Sequence, residues 1–310
     1  AEATLRLMPL PQAEDWASFE FDDRDSWAGA MAEIGRLGLA CELFGFDPVL
    51  QAVRMKRASL AEDVKALKNV VTGQGGFLKG LKEGAKVALA GRGYMDDVAY
   101  SVHLTVEGHS LAEVKAKTQS LKGIAEKHGG KEIENSIPKI IRSNPFAPLN
   151  SILGPQGERW APIHGIVSMG DGVKCAADID NMLTSMAPKF EDHGVYAGYL
   201  FTTLSTNGFL IEPVFYWPEE IFPIHEHTVE PSVLKRLKRH DKNPAATATV
   251  EEARQNILDI FTRYGAAHFQ IGRTYPYTKN MSPETKAVLN MIKQGLDPNC
   301  LVNSGALGLT

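Results

Sequence analysis

Four stretches of this 310-residue chain carry side chains able to do chemistry. The run from His268 to Tyr277, HFQIGRTYPY, sets Arg273 beside Gly272 and two tyrosines, Tyr275 and Tyr277. An arginine fork there can hold an anion, or charge that develops during a reaction, through paired hydrogen bonds. A structural ion pair is its other use. Glu212 and Tyr216 project from the same side of an apolar strand as Leu210 and Val214. Burial raises the pKa of such a carboxyl and suits it to acid–base work; pairing with a structural Lys or Arg is the alternative. His164 lies within the block WAPIHGIV, as either a hydrogen-bonded core residue or a functional one. In His225-Glu226-His227, an extended backbone would turn both imidazoles the same way, as two metal ligands require. After Pro223, the pair also reads as solvent-facing loop histidines. No G-x-S-x-G elbow occurs. The glycines at 73–80 do not follow a strand, as a dinucleotide fingerprint must.

The elements that must position these residues alternate between strand and helix. Strands are expected at 3–10, 16–22, 41–46, 160–169 and 267–272, with a hairpin of 199–206 and 208–217 turning at Asn207-Gly208. Strict alternation at 98–106 predicts a half-buried strand. Helices are expected from Asp25-Ser26 to Gly38, across much of 50–90, from the capping box Ser110-x-x-Glu113 to His128, over 173–190, from a second box Thr249-x-x-Glu252 to Gly265, and after Ser282-Pro283. Residues 131–160, rich in proline, and 228–248, rich in charge, read as loops. The sum is an α+β fold with helices over one face of an antiparallel sheet and the other face left for something else.

Composition bounds the function. Net charge is −4, with 33 Lys+Arg against 37 Asp+Glu, which argues against a nucleic-acid partner. No apolar run reaches the ~20 residues of a membrane span. Cys41, Cys175 and Cys300 are far apart and form neither a zinc knuckle nor a disulfide framework, which fits a reduced, cytoplasmic setting. The abrupt start at Ala1 reads as a domain edge in a longer protein.

The opening ATLRLMPLPQAE, the block RWAPIHGIVSM, the run HFQIGRTYPY and the ending IKQGLDPNCLVNSGALGL together resemble the C-terminal domain of FAD-linked oxidases, of the vanillyl-alcohol oxidase and para-cresol methylhydroxylase type. The resemblance implies a cap of two ferredoxin-like halves forming one large antiparallel sheet flanked by helices: residues 1–130, a connecting loop 131–159, and 160–310, whose last helix packs toward an FAD-binding domain. The resemblance implies that this N-terminal domain is missing here. The implied cofactor is FAD, held mainly by that domain, and the implied reaction passes hydride to FAD from an alcohol, a hydroxy acid or a phenolic benzylic carbon of a small substrate. Arg273 falls where the family places a cation by the flavin pyrimidine ring, with Asn303 of the shared ending as a further cofactor contact. Tyr275, Glu212 and His164 complete the catalytic candidates. Aryl-alcohol members carry Tyr where this chain has Gly272, so a phenolic substrate requires Tyr275 or Tyr277 to substitute. A homodimer is compatible with this reading. A cap cut from its partner should expose an apolar patch, with Trp160, Phe209, Phe215 and Trp217 as its lining. The competing readings are a non-catalytic ferredoxin-like binding module and a metal-dependent enzyme using His225 and His227.

Overall fold

A continuous antiparallel sheet carries both halves of the chain. The computed structural model describes residues 2–57 apart from 6 and 8, then 100–143, 146–279 and 281–309. Among these, the first half supplies β1 (Ala13–Phe21), β2 (Glu42–Phe46), β3 (Tyr100–Gly108) and β4 (Lys131–Ile133). The second half supplies β5 (Arg159–Pro162), β6 (Gly165–Ser168), β7 (Tyr196–Leu204) and β8 (Gly208–Trp217). The strand order is β4-β1-β3-β2-β7-β8-β5, with β6 also on β8. The halves join where Phe44, Gly45 and Phe46 of β2 pair with Thr202, Phe201 and Leu200 of β7.

Helices cover one face. These are α1 (Arg24–Leu37), α3 (Leu111–Lys127), α5 (Gly172–His193) and α8 (Pro244–Arg263), while α2 (Pro48–Arg57) and α4 (Ser136–Ser143) meet the other face. Local chemistry sets their ends. Asp23 Oδ1 accepts from Ser26 N at 2.8 Å to start α1, and Gly38, at φ 62°, ends it. The main core lies between helices and sheet, around Phe19, Trp27, Leu104, Phe201, Phe215 and Phe261. Trp27 stacks on Phe201 at 4.1 Å and donates to the Ser101 carbonyl. Gly45 is required there: a Cβ would stand 2.5 Å from Trp27 Nε1 and 2.6 Å from Ser101 O.

The expected large antiparallel sheet with flanking helices is present, and several details are corrected. Residues 3–10 form no strand in their described part. Strand β3 is buried on both faces, because α2 and α4 cover the side expected to be open; Ser101, His103 and Thr105 are fully buried. The connection 131–159 is not a plain loop, since it contains β4, α4 and a 3-10 turn at Asn150–Ile152. Within 228–248 lies α7 (Pro231–Leu234), after α6 (Pro223–Thr228). Helix α8 begins at Pro244 with Asn243 as its cap, so Thr249 is a buried interior residue and the second capping box does not exist. The hairpin turns through Ser205–Asn207, with Ser205 at φ 55°. Residues 267–272 keep only a single bridge, Ala267 with Ile166. Phe209, Phe215 and Trp217 are buried in the core and form no exposed patch. Helix α9 (Pro283–Leu296) instead buries none of its residues and exposes Val288, Met291, Ile292 and Leu296. The glycine-interrupted helical stretch expected beyond residue 57 lies outside the described residues, as do Val98 and Ala99.

Candidate functional site

Proline shapes the first wall of the site. Pro162 pairs with Val214, and Gly165 with Ile211, in one register. That register sets His164 across from Glu212, with Ile163 N donating to Pro213 O at 2.9 Å. Pro213 has no N–H to return, so the ladder breaks between β5 and β6 at Ile163-His164. Gly165 next door admits the Phe261 ring of α8: a Cβ there would lie 2.5 Å from the ring. Helix α8 can therefore close on the sheet directly beside His164.

The second wall comes from the irregular segment after α8. The Ile166 and Ala267 backbones exchange two hydrogen bonds of 2.9 Å, which anchors His268 beside His164. His268 Nδ1 donates to the His164 carbonyl at 2.8 Å. The Tyr275 hydroxyl sits 2.6 Å from His164 Nδ1 and also accepts from His164 N at 3.2 Å. Phe269 stacks on the His164 ring at 4.0 Å and stays 56% exposed to solvent. His164 itself is only 1% exposed.

Burial tunes the titrating groups. It pushes Glu212 up to about 7, so this carboxyl titrates in the neutral range instead of far below it. Burial also raises Tyr275 to about 12, with the Glu212 charge adding to the rise and Arg254 opposing it. Burial lowers His164 to about 4, and His268 falls as well. At pH 7 the site therefore presents neutral imidazoles, a neutral phenol and a carboxyl poised to give or take a proton.

Three of the four expected catalytic residues, His164, Glu212 and Tyr275, thus come together. Arg273 lies elsewhere: it is exposed and lines a cleft of about 370 Å³ with Lys279, Lys286, Thr274, Asp259 and Tyr275. Tyr275 belongs to both places. Asn303 is exposed, has φ 48°, and uses its carbonyl to accept from Ala306 N; it does not line the cleft, although Gly305 and Gly308 do. His268, Phe269 and Arg254 were not singled out from the sequence; a segment expected to be a strand concealed the turn that brings the first two to His164. A larger cavity, about 540 Å³, lies near the junction of the halves beside Cys41, Glu42, Thr202 and Thr206, and none of the expected site residues lines it.

The extended backbone expected at His225-Glu226-His227 is overturned. The segment is helix α6, which separates the two side chains: His225 is buried with Nδ1 accepting from Phe222 N at 2.8 Å, while His227 is exposed. Among the described residues, no group of three His, Cys, Asp or Glu side chains could hold a metal ion. No helix among them is long and apolar enough to cross a membrane.

This sheet with its flanking helices has the fold of FAD-linked oxidases over about half their length, as the resemblance implied. The chain is similar to p-cresol methylhydroxylase with substrate bound: TM-score 0.58, 15% identity, covering 97% of this chain and 54% of that one. It is similar to 4-ethylphenol oxidase from Gulosibacter chungangensis in an isoeugenol complex: TM-score 0.55, 12% identity, 98% of this chain and 55% of that one. It is also similar to alkyldihydroxyacetonephosphate synthase: TM-score 0.52, 14% identity, 96% of this chain and 45% of that one. No protein-family model matches the chain, and no curated protein does.

Proposed function

We propose that this chain is the substrate-binding cap of an FAD-dependent oxidoreductase acting on a small molecule whose reacting carbon is an alcohol, hydroxy acid or phenolic benzylic carbon. The observation that carries this reading is the likeness to p-cresol methylhydroxylase across 97% of the chain. The site chemistry agrees with it. FAD, when bound, supplies the hydride acceptor. Glu212, held near neutrality by burial, takes or returns the substrate proton. Tyr275 and His164 orient the reacting group, and Phe269 shields it from water. Arg273 is the residue suited to the flavin pyrimidine end: its guanidinium is exposed, in a cleft it shares with Lys279 and Lys286, where cations favour negative charge. Asn303 is the further cofactor contact in this reading.

A separate domain holds most of the FAD, and the exposed apolar residues of α9 pack against it. The setting is cytoplasmic, and a homodimer is compatible with the surface that remains. The test is the visible spectrum of the protein purified as its gene encodes it. A flavin band near ~450 nm that bleaches with an added alcohol supports the proposal. A colourless protein that neither takes up FAD nor binds an alcohol overturns it.

A further inference from the structure

The cavity of about 540 Å³ opens where the two halves of the sheet meet. Its walls come from the C-terminal end of α1, the start of β2, Ile141 of α4, and the end of β7 with its turn. Gly38, Cys41, Ser205 and Thr206 are exposed, so its mouth is open to solvent, while Ile34 and Leu43 are buried. Beside it the halves are pinned together, because Thr202 Oγ1 donates to the Leu43 carbonyl at 2.7 Å. Glu42 is the one charged side chain among the described residues of this wall. Its Oε1 accepts from Arg142 Nη1 at 2.7 Å and its Oε2 from Thr105 Oγ1 at 2.9 Å. Each carboxylate oxygen has two lone-pair sites, so both can accept again. Arg142 is shared, since it also pairs with Glu14 and Glu107, and one positive charge therefore faces three negative ones. Lys117, which reaches the Glu107 carbonyl, pairs with Glu113. The C-terminal pole of α1 adds partial negative charge; Arg36 of its last turn is exposed and does not line the cavity. Ser205 stands in this wall at φ 55°, a strained conformation of the kind that concentrates at ligand sites.

We propose that this cavity binds a small primary alkylammonium ion, with Glu42 as its counter-ion. An ammonium group has three N–H donors and no acceptor, and the wall answers with acceptors: the Glu42 carboxylate and the hydroxyls of Thr203, Ser205 and Thr206. Ile34, Leu43 and Ile141 take the hydrocarbon chain, and the Phe44 ring adds a face that suits both chain and cation. A metal ion is the poorer fit, because among the described residues no three His, Cys, Asp or Glu side chains are grouped to hold one. The volume is that of a small-molecule site. The site is separate from the residues given to the oxidoreductase reading and does not rest on that reading. Because its walls include both β2 and β7, an occupant ties the two halves together and stabilises the sheet at their junction.

The probes are n-butylammonium chloride and n-butanol, alike in chain but not in charge, titrated into protein with ¹³C-labelled isoleucine and threonine methyl groups. Affinity is read at the methyl signals of Ile34, Ile141, Thr203 and Thr206. Butylammonium should bind there at least about tenfold more tightly than butanol. It should leave the Ile166 signal, beside His164, unmoved. Added sodium chloride should weaken the ammonium and not the alcohol. Glu42→Gln keeps an acceptor for Arg142 but deletes the charge, and should lower the preference about tenfold. Arg142→Gln removes the cation that competes for Glu42 and should tighten the ammonium instead. Opposite signs in the two variants separate a counter-ion from a general loss of structure. Equal binding of the two probes, unmoved cavity signals, or a preference unchanged by Glu42→Gln would overturn the proposal. If Glu42→Gln does not fold, the parent and Arg142→Gln decide: tightening supports the site, and unchanged or weaker ammonium binding overturns it. None of these readings needs flavin, so the result stands or falls independently of the oxidoreductase reading.

Discussion

Two histidines are buried in this sheet, and their surroundings treat them differently. In the first half His103 is fully buried, with Nδ1 2.8 Å from Ser18 Oγ and Nε2 3.1 Å from Ser101 Oγ. Phe44 and Phe46 pack on its ring, and burial lowers its pKa to about 3. In the second half His164 is as deeply buried but engages only one ring nitrogen, and its neighbour His268 does likewise. Burial therefore does not distinguish these histidines; the completeness of their hydrogen bonding does. The strands of the first half meet every requirement of their histidine, whereas the second half, interrupted by Pro213 and finished by an irregular segment, leaves His164 Nε2 and His268 Nε2 without a hydrogen-bond partner among the described residues.

The largest expected effect tests the same distinction on a cation. Arg273 forms no ion pair among the described residues, so its charge is available to a reacting group. In the flavoenzyme proposed above, Arg273→Ala should slow flavin reduction by about 10²–10³, roughly 3–4 kcal/mol, with little change in unfolding temperature. Arg273→Lys should recover part of the loss, because a point charge replaces a planar fork. Stopped-flow reduction beside thermal unfolding decides it; a native rate would return Arg273 to the surface.

The next effect belongs to the satisfied histidine. His103→Leu strands the Ser18 and Ser101 hydroxyls in a dry core and should cost about 2–4 kcal/mol in denaturant unfolding. A loss under half a kcal/mol would mean that the two serines find other partners and that the network is not architectural. A smaller loss, about 1–3 kcal/mol, is expected for Gly165→Ala, whose methyl would collide with Phe261 and push α8 off β6. The variant should also weaken alcohol binding, since His164 moves with β6; a stable protein with unchanged binding would contradict the role given to this glycine.

The smallest effect is a pH dependence of stability with two opposed contributions. Burial raises Glu212 from 4.5, the value of a free carboxyl, to about 7 in the folded chain, which therefore keeps a proton that the unfolded chain releases. Its contribution falls as pH rises from about 4.5 to 7. His164 and His103 are lowered from 6.5 to about 4 and about 3, so the unfolded chain takes up protons first and stability falls as pH drops below 6.5. Glu212→Gln should remove the first slope and gain on the order of 1 kcal/mol relative to the parent between pH 5 and pH 8. Parallel curves for the two proteins would show that Glu212 is not protonated in the folded state.

Much of the architecture was legible because its signals are local. The Ser110 and Ser282 caps, the Gly38 stop and the β7–β8 hairpin all depend on neighbours a few residues apart. Errors arose where tertiary contacts override pattern. Thr249 has the form of a cap but sits inside a helix that Asn243-Pro244 starts earlier. Residues 267–272 have the composition of a strand, yet among the described residues only Ala267 forms a β-bridge, and Gly272 turns at φ 140° and bonds Leu307 instead of a strand. In the site, Glu212 and His164 were visible as polar residues in apolar strands. Their meeting depends on a register between strands nearly fifty residues apart. The role of His268 depends on one backbone carbonyl, and no spacing rule reports that.

The most direct test pairs the two regions in one experiment: His103→Leu and His268→Asn in the complete enzyme, each followed by flavin reduction with benzyl alcohol and by denaturant unfolding. The account predicts a double dissociation. His103→Leu should lose stability and keep its reduction rate per folded molecule, while His268→Asn should keep its stability and lose rate. A His103 variant that reduces slowly though folded, or a His268 variant whose only defect is unfolding, would contradict it.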